Sequence, residues 1–170
     1  MDITVSPNSM RAALLATIVV YAAWCDVRTR RIPNALTLGS ALAGLMLAAV
    51  GFADGPSFGS AVGGAMLGLA LLLPLYAVRA LGAGDAKLMA AVGAFAGAPA
   101  MVFIFLLTGI AGGIAALALA TRRRMLGRLA ANARDLLHLE FAAVNSVGRL
   151  PYGVCICAGT LAWLALRQWR

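Results

Sequence analysis

The amino-acid sequence predicts an all-α polytopic membrane protein, a bundle of about six transmembrane helices. Of its 170 residues, 62% are hydrophobic and 12% are charged, and the mean hydropathy is +0.91. A water-soluble domain carries about 25% charged residues, so this chain is too apolar to be one. Apolar runs close to the length that crosses a bilayer use up most of the chain. We therefore expect residues 1–170 to form a single integral-membrane domain.

Six apolar runs, separated by charged or by glycine- and proline-containing stretches, give the boundaries of the predicted spans. They cover about 12–24, 35–53, 58–78, 87–96, 101–120 and 151–166. The fourth run is short, because at about 1.5 Å per residue it reaches only half-way across a bilayer. Short segments beside glycines often line cavities within membrane proteins.

The distribution of basic residues predicts the orientation. Only Arg11 precedes the first span, whereas Arg28, Arg30 and Arg31 follow it, and positive charge favours the cytoplasmic side. The N-terminus is therefore predicted to lie outside, with most of the 14 Lys and Arg residues in the cytoplasm. The net charge of +8 then reflects topology and contact with anionic lipid, and we expect no nucleic-acid partner.

The longest predicted loop, residues 122–149, lies on the cytoplasmic side in this topology. Apolar residues recur there at near-helical spacing between Leu126 and Phe141, opposite Arg128, Asn132 and Asp135. This pattern predicts an amphipathic helix at the membrane interface.

The three cysteines do not predict a metal site. Cys25, Cys155 and Cys157 form no Cys-x-x-Cys pair and have no histidine at ligand spacing. We expect neither structural zinc nor a disulfide framework, and no cofactor.

Two aspartates stand at the edges of apolar runs. Asp26 ends the first run, and Asp85 lies between the third and the fourth. An ionised carboxylate at membrane depth costs about 2.5 to 3.5 kcal/mol, so an acid kept there predicts a functional site. Both acids reach the cytoplasmic face in the predicted topology. We therefore expect Asp26 and Asp85 to share one site.

The residues around Asp85 also suggest roles. Gly82 and Gly84 are predicted to form a loop with positive φ angles, against which a substrate backbone could lie, although a plain connecting loop would also use them. Lys87 either anchors the fourth span at the interface or tunes Asp85.

A close pair of carboxylates shares one proton at neutral pH, as in aspartic proteases. One acid then takes a proton from water while the other polarises the scissile carbonyl. Asp26 lies at the negative end of the first helix and Asp85 at the positive end of the fourth, so we expect Asp85 to carry the charge. Two alternatives are a proton-coupled transporter and a non-catalytic assembly subunit whose acids pair with loop arginines.

Three segments resemble those of the type IV prepilin peptidases. The resemblance to their Gly-x-Gly-Asp motif rests on Gly82-Ala83-Gly84-Asp85-Ala86-Lys87-Leu88. Their first aspartate region is similar to Asp26 with the following Ile32-Pro33-Asn34-Ala35-Leu36-Thr37, and their closing motif to Pro151-Tyr152-Gly153-Val154. The resemblance extends from about Tyr21 to Gly159.

The resemblance implies a multi-pass aspartyl endopeptidase of the bacterial inner membrane, related in its active-site motif to presenilin-type proteases. Such enzymes remove the basic leader of prepilins and pilin-like proteins at the cytoplasmic face, with Asp26 and Asp85 matching the catalytic aspartates. The larger members carry a cytoplasmic domain with two Cys-x-x-Cys pairs, which this sequence lacks, so we expect cleavage without N-methylation. The small size suggests the subgroup that serves tight-adherence, or Flp, pili. The sequence leaves the oligomeric state open.

Overall fold

The computed structural model describes residues 7–52, 55–77, 80–122 and 151–168. These residues contain helices and no strand, which confirms the all-α prediction. The helices are α1 (Pro7–Thr29), α2 (Asn34–Ala49), α3 (Phe58–Ala77), α4 (Ala83–Ala96), α5 (Ala98–Arg122) and α6 (Tyr152–Gln168). The amphipathic helix predicted within residues 122–149 lies outside the described residues.

Three of the helices are long and apolar enough to cross a membrane: α1, α3 and α5. The shorter α2 and α6, of 16 and 17 residues, are also apolar. Large apolar side chains face outward from the bundle, such as Met46 at 70% exposure and Phe103 and Ile114 at 65%. Lipid can cover such surface, so the structure is that of a helical membrane bundle. The outside position of the N-terminus stays a prediction.

The shortest helix, α4, is the centre of the bundle. It contacts each of the other five helices, and nine of its 14 residues are buried. Its length is about 21 Å, less than the roughly 30 Å of a bilayer core. Because protein surrounds it, α4 can be short without exposing backbone groups to lipid.

The ends of α4 were only partly predicted. The chain was expected to become helical at Lys87, but α4 begins at Ala83, so Gly84 and Asp85 lie in its first turn. Gly97 ends the helix with a φ of +82°, a conformation that suits glycine, and α5 begins at the next residue. The predicted break at Gly97 is therefore confirmed, and the predicted start is wrong.

Glycines bring α3 and α4 into backbone contact. A Cβ on Gly64 would overlap the carbonyl of Gly93, and a Cβ on Gly68 would lie 3.0 Å from the carbonyl carbon of Met89. This is the packing that small residues at four-residue spacing favour in membranes. Similar spacing at Gly109 and Gly113 has no such role within the described part of the chain, where no atom lies within 4 Å of either Cβ position.

The helices form two groups. In the first, which we call the Asp85 group, α4 packs mainly on α3 and α2. In the second, the Asp26 group, α6 packs mainly on α5 and α1. Fewer contacts join the two groups, so we call the boundary between them the seam. Each group carries one of the two aspartates.

Candidate active site

Asp26 lies in the last turn of α1 and is buried, with 7% of its surface exposed. Its Oδ2 accepts a hydrogen bond of 2.8 Å from the backbone N–H of Gly153. Gly153 belongs to the first turn of α6, and 127 positions separate it from Asp26. The carboxylate is thus held at the beginning of a helix far away in the sequence.

Asp85 lies in the first turn of α4 and is also buried, at 8% exposure. Its Oδ2 accepts a 3.0 Å hydrogen bond from the backbone N–H of Gly82, and its own N–H donates to the Gly82 carbonyl at 3.1 Å. These reciprocal bonds close the first turn of the helix. Asp85 therefore occupies the position where helices favour an acidic residue.

The two carboxylates lie on either side of the seam, and the charge on Asp26 acts on Asp85. That they work as one site stays a prediction. The charge on Asp85 also reaches Tyr152 and Cys155 in the first turn of α6. The ends of α1, α4 and α6 thus converge on a buried acidic pair.

The expected roles of the two glycines need correction. Gly82 has a φ of −81° and Gly84 is helical, so neither has the predicted positive φ. A Cβ on Gly84 would lie 3.2 Å from the Cβ of Ile32, in the loop between α1 and α2. The absence of a side chain at Gly84 therefore lets that loop approach α4.

Lys87 has a contact that neither proposed role included. Its Nζ donates a 2.9 Å hydrogen bond to Oδ1 of Asn34, the first residue of α2. Together with the Ile32–Gly84 approach, this bond fastens the beginning of α2 to the first turn of α4. The sequence did not predict this contact, because Asn34 and Lys87 are 53 positions apart and no local pattern connects them.

Asp26 lies at two helix ends, of which the sequence predicted one. The acid does lie at the C-terminal, negative end of α1, as expected, but its carboxylate also meets the N-terminal, positive end of α6. Each aspartate therefore accepts a backbone N–H at a helix N-terminus. At Asp26 the positive end of α6 opposes the negative end of α1, which reduces the expected difference between the two acids, and the expected charge on Asp85 stays a prediction.

A buried pair of acids with one oxygen of each fixed is suited to general acid–base chemistry on a water molecule. The fixed oxygens restrict rotation of the carboxyl groups, which leaves the other oxygens to act on a reactant. In the described part of the chain, no three His, Cys, Asp or Glu side chains gather into a metal site.

Comparison with known proteins assigns the chain to a family. The sequence model of the Type IV leader peptidase family matches residues 13–117, well over half of the chain. The Prepilin leader peptidase/N-methyltransferase of Aeromonas salmonicida is 32% identical over 121 residues, and that of Aeromonas hydrophila 33% over 118. These matches cover 67% and 64% of this chain, but only 41% and 40% of the relatives.

No solved structure matches the chain. The family match spans α1 to α4 and most of α5, and so includes both aspartates, while the first turn of α6 lies beyond it. A match to well over half of the chain is sufficient to assign membership. The protein belongs to the type IV leader peptidase family.

Proposed function

We propose that this protein is an intramembrane aspartyl endopeptidase that removes the N-terminal leader of prepilins or pilin-like proteins. Asp26 and Asp85 are its catalytic residues. The observation that carries the proposal is the pair of buried carboxylates at the seam, each fixed by one backbone N–H. The family and the names of the Aeromonas relatives support the choice of substrate.

The reaction needs no covalent enzyme intermediate. The ionised aspartate takes a proton from a water molecule, and the water oxygen bonds to the carbonyl carbon of the scissile peptide. The protonated aspartate donates a hydrogen bond to the carbonyl oxygen and stabilises the charge that develops there. When the C–N bond breaks, the leaving amine receives a proton from the aspartate pair, and the acids return to sharing one proton.

The site faces the cytoplasm in this proposal, in the bacterial inner membrane. Support comes from the basic residues that follow α1 and α5, which predict that these helix ends are cytoplasmic. In this proposal the protein cleaves the leader and does not methylate the new N-terminus, which the mass of the product tests. Small pilins of the tight-adherence, or Flp, type are the first substrates to examine.

The test is intact-mass analysis of a candidate prepilin co-expressed with the wild type, Asp26→Asn or Asp85→Asn. The wild type should shorten the substrate at its N-terminus without adding the mass of a methyl group. Each variant should lower the cleavage rate about 100- to 10,000-fold, because each removes one member of the acid–base pair. Asp54 lies between the second and third predicted spans, which places it outside the cell in the predicted topology. Asp54→Asn, the same change at that acid, should cleave normally.

Cleavage by either Asp-to-Asn variant at the wild-type rate would contradict the proposed pair. If the wild type leaves several pilin-like candidates intact, the peptidase proposal fails, and proton flux through the same acids becomes the measurement. A non-catalytic assembly subunit would instead keep pilus assembly in both variants.

A further inference from the structure

We propose that Gly153 is a positioning residue, whose backbone N–H in the first turn of α6 fixes the carboxylate of Asp26 for reaction. This inference rests on the proposed function, since it takes Asp26 to be catalytic. It assigns a mechanical role to the beginning of α6, which lies beyond the matched family region.

The first turn of α6 needs an acceptor from elsewhere in the protein. The first N–H groups of a helix have no partner within that helix. An Asp, Asn, Ser or Thr just before the helix usually accepts one of them, but here Pro151 precedes α6 and has no side-chain acceptor. Asp26 supplies the missing oxygen, at 2.8 Å from the Gly153 nitrogen. The aspartate of α1 thus caps α6.

The absence of a side chain at Gly153 makes room for this approach. A Cβ on residue 153 would lie 3.0 Å from Oδ2 of Asp26 and 3.1 Å from its Cβ, so the aspartate would have to move by a few tenths of an ångström. On α5, the glycine at position 112 leaves similar room for the neighbouring ring, because a Cβ there would lie 3.1 Å from Cε2 of Tyr152. The first turn of α6 is therefore wedged between α1 and α5.

The cap has two consequences for the reaction. Because Oδ2 of Asp26 is held, Oδ1 is the oxygen left to act on water or to share a proton with Asp85. The N–H and the helix N-terminus also stabilise the ionised form of the pair. Removing the N–H should therefore raise one of the two apparent pKa values of the pair. The acid limb of the pH–activity profile should move to higher pH if Asp26 carries the charge, and the alkaline limb if Asp85 does.

The steric test compares Gly153→Ala with Gly109→Ala, the same change at a helical glycine of α5 whose Cβ position is open. Gly153→Ala should lower kcat about 10- to 100-fold with little change in KM, because displacing a reacting group by a fraction of an ångström is costly. Gly109→Ala should leave kcat unchanged. Equal kcat in the two variants would overturn the proposal.

An amide-to-ester exchange at position 153 removes the N–H without adding any atom to the side chain. It should lower kcat and move one limb of the pH–activity profile to higher pH. A purely structural role for Gly153 would change the amount of folded enzyme but not the pH profile of the enzyme that folds. An ester variant with the wild-type profile would therefore contradict the positioning role.

Thermal unfolding tests the cap without relying on catalysis. Asp26→Asn keeps an acceptor oxygen, whereas Asp26→Ala loses it, so the Ala variant should unfold about 3 °C below the Asn variant. In a Gly153→Ala background this difference should shrink, because the bond is already broken.

The two measurements separate two kinds of failure. If the wild type cleaves no prepilin but the Asn and Ala variants still differ in unfolding temperature, the proposed function fails and the cap stands. If the wild type cleaves but the two variants unfold at the same temperature in both backgrounds, the function stands and the cap is refuted.

Discussion

The two helix groups hold their aspartates in different ways. In the Asp85 group, the acid is fixed by Gly82, three residues earlier on the same helix end. In the Asp26 group, the acid is fixed by Gly153, 127 positions later and on another helix. One acid is therefore positioned by local chain geometry and the other by the packing of α6 on α1. The position of Asp26 should be the more sensitive of the two to changes elsewhere in the fold.

The interiors of the two groups differ as well. Close backbone contacts at Gly64 and Gly93 join α3 to α4 in the Asp85 group. In the Asp26 group, the hydroxyls of Thr108 and Thr160 are buried and have no hydrogen-bond partner among the residues that the structure describes. The first group is built around a glycine interface, and the second carries unsatisfied polar atoms. Substitutions in the two groups should show how these differences affect stability and activity.

The largest effect should follow from breaking the glycine interface with Gly64→Ala. Its Cβ would overlap the Gly93 carbonyl and lie 2.7 Å from the carbonyl carbon of Gly97, so α3 and α4 must separate. We expect the free energy of unfolding to fall by about 3 kcal/mol, the upper end for overpacked cores. Thermal or denaturant unfolding in detergent measures it.

The matched control is Gly59→Ala, which also lies on α3 but has no atom of the described residues within 4 Å of its Cβ position. It should change the free energy of unfolding by no more than about 0.5 kcal/mol. If both variants are equally stable, the glycine interface does not determine the packing of the Asp85 group.

A smaller effect is expected from the bond that fastens α2 to α4. Lys87→Met and Asn34→Leu should each lower kcat/KM about 3- to 10-fold, since one hydrogen bond to a charged group is lost. The double variant should be no worse than either single one, because the same bond is removed. Asn34→Asp keeps an acceptor for Lys87 and should retain activity.

Arg122→Met provides the control for charge. Arg122 is a basic residue in the last turn of α5, at the helix end that the sequence predicts to be cytoplasmic. Kinetics with a cleavable prepilin should show no loss for this variant. An equal loss in Arg122→Met and Lys87→Met would mean that net charge, and not the bond to Asn34, matters.

Features that depend on local sequence could be predicted, whereas contacts that depend on helix packing could not. Apolar runs predicted the helices, and position at the edge of an apolar run made Asp26 and Asp85 candidate site residues. Both signals are local in the sequence. The start of α4 was missed because Gly-Ala-Gly favours a loop, whereas the bond between Asp85 and Gly82 closes a helical turn there. The contact of Gly153 with Asp26 depends on how α6 packs, which no local pattern reveals.

Glycine spacing shows the same limit. Gly64 and Gly68 contact the backbone of α4. Gly109 and Gly113 have identical spacing, but no described atom lies within 4 Å of their Cβ positions. A small-residue spacing shows that two helices are able to approach closely. It does not identify which helix, if any, makes the approach, because that depends on the whole bundle.

The smallest effect concerns buried hydroxyls, where the two groups should respond in opposite directions. In the Asp85 group, the hydroxyl of Thr37 donates to the carbonyl of Asn34 at 3.2 Å, so Thr37→Val should lower the free energy of unfolding by about 1 kcal/mol. In the Asp26 group, Thr108→Val removes a buried hydroxyl that has no partner in the described ranges, and should be neutral or stabilising by up to about 1 kcal/mol. Denaturant unfolding of both variants under the same conditions measures the two changes in the free energy of unfolding. A loss in Thr108→Val as large as that in Thr37→Val would show that Thr108 has a partner in solution, such as a buried water molecule, and that the two interiors are equally satisfied.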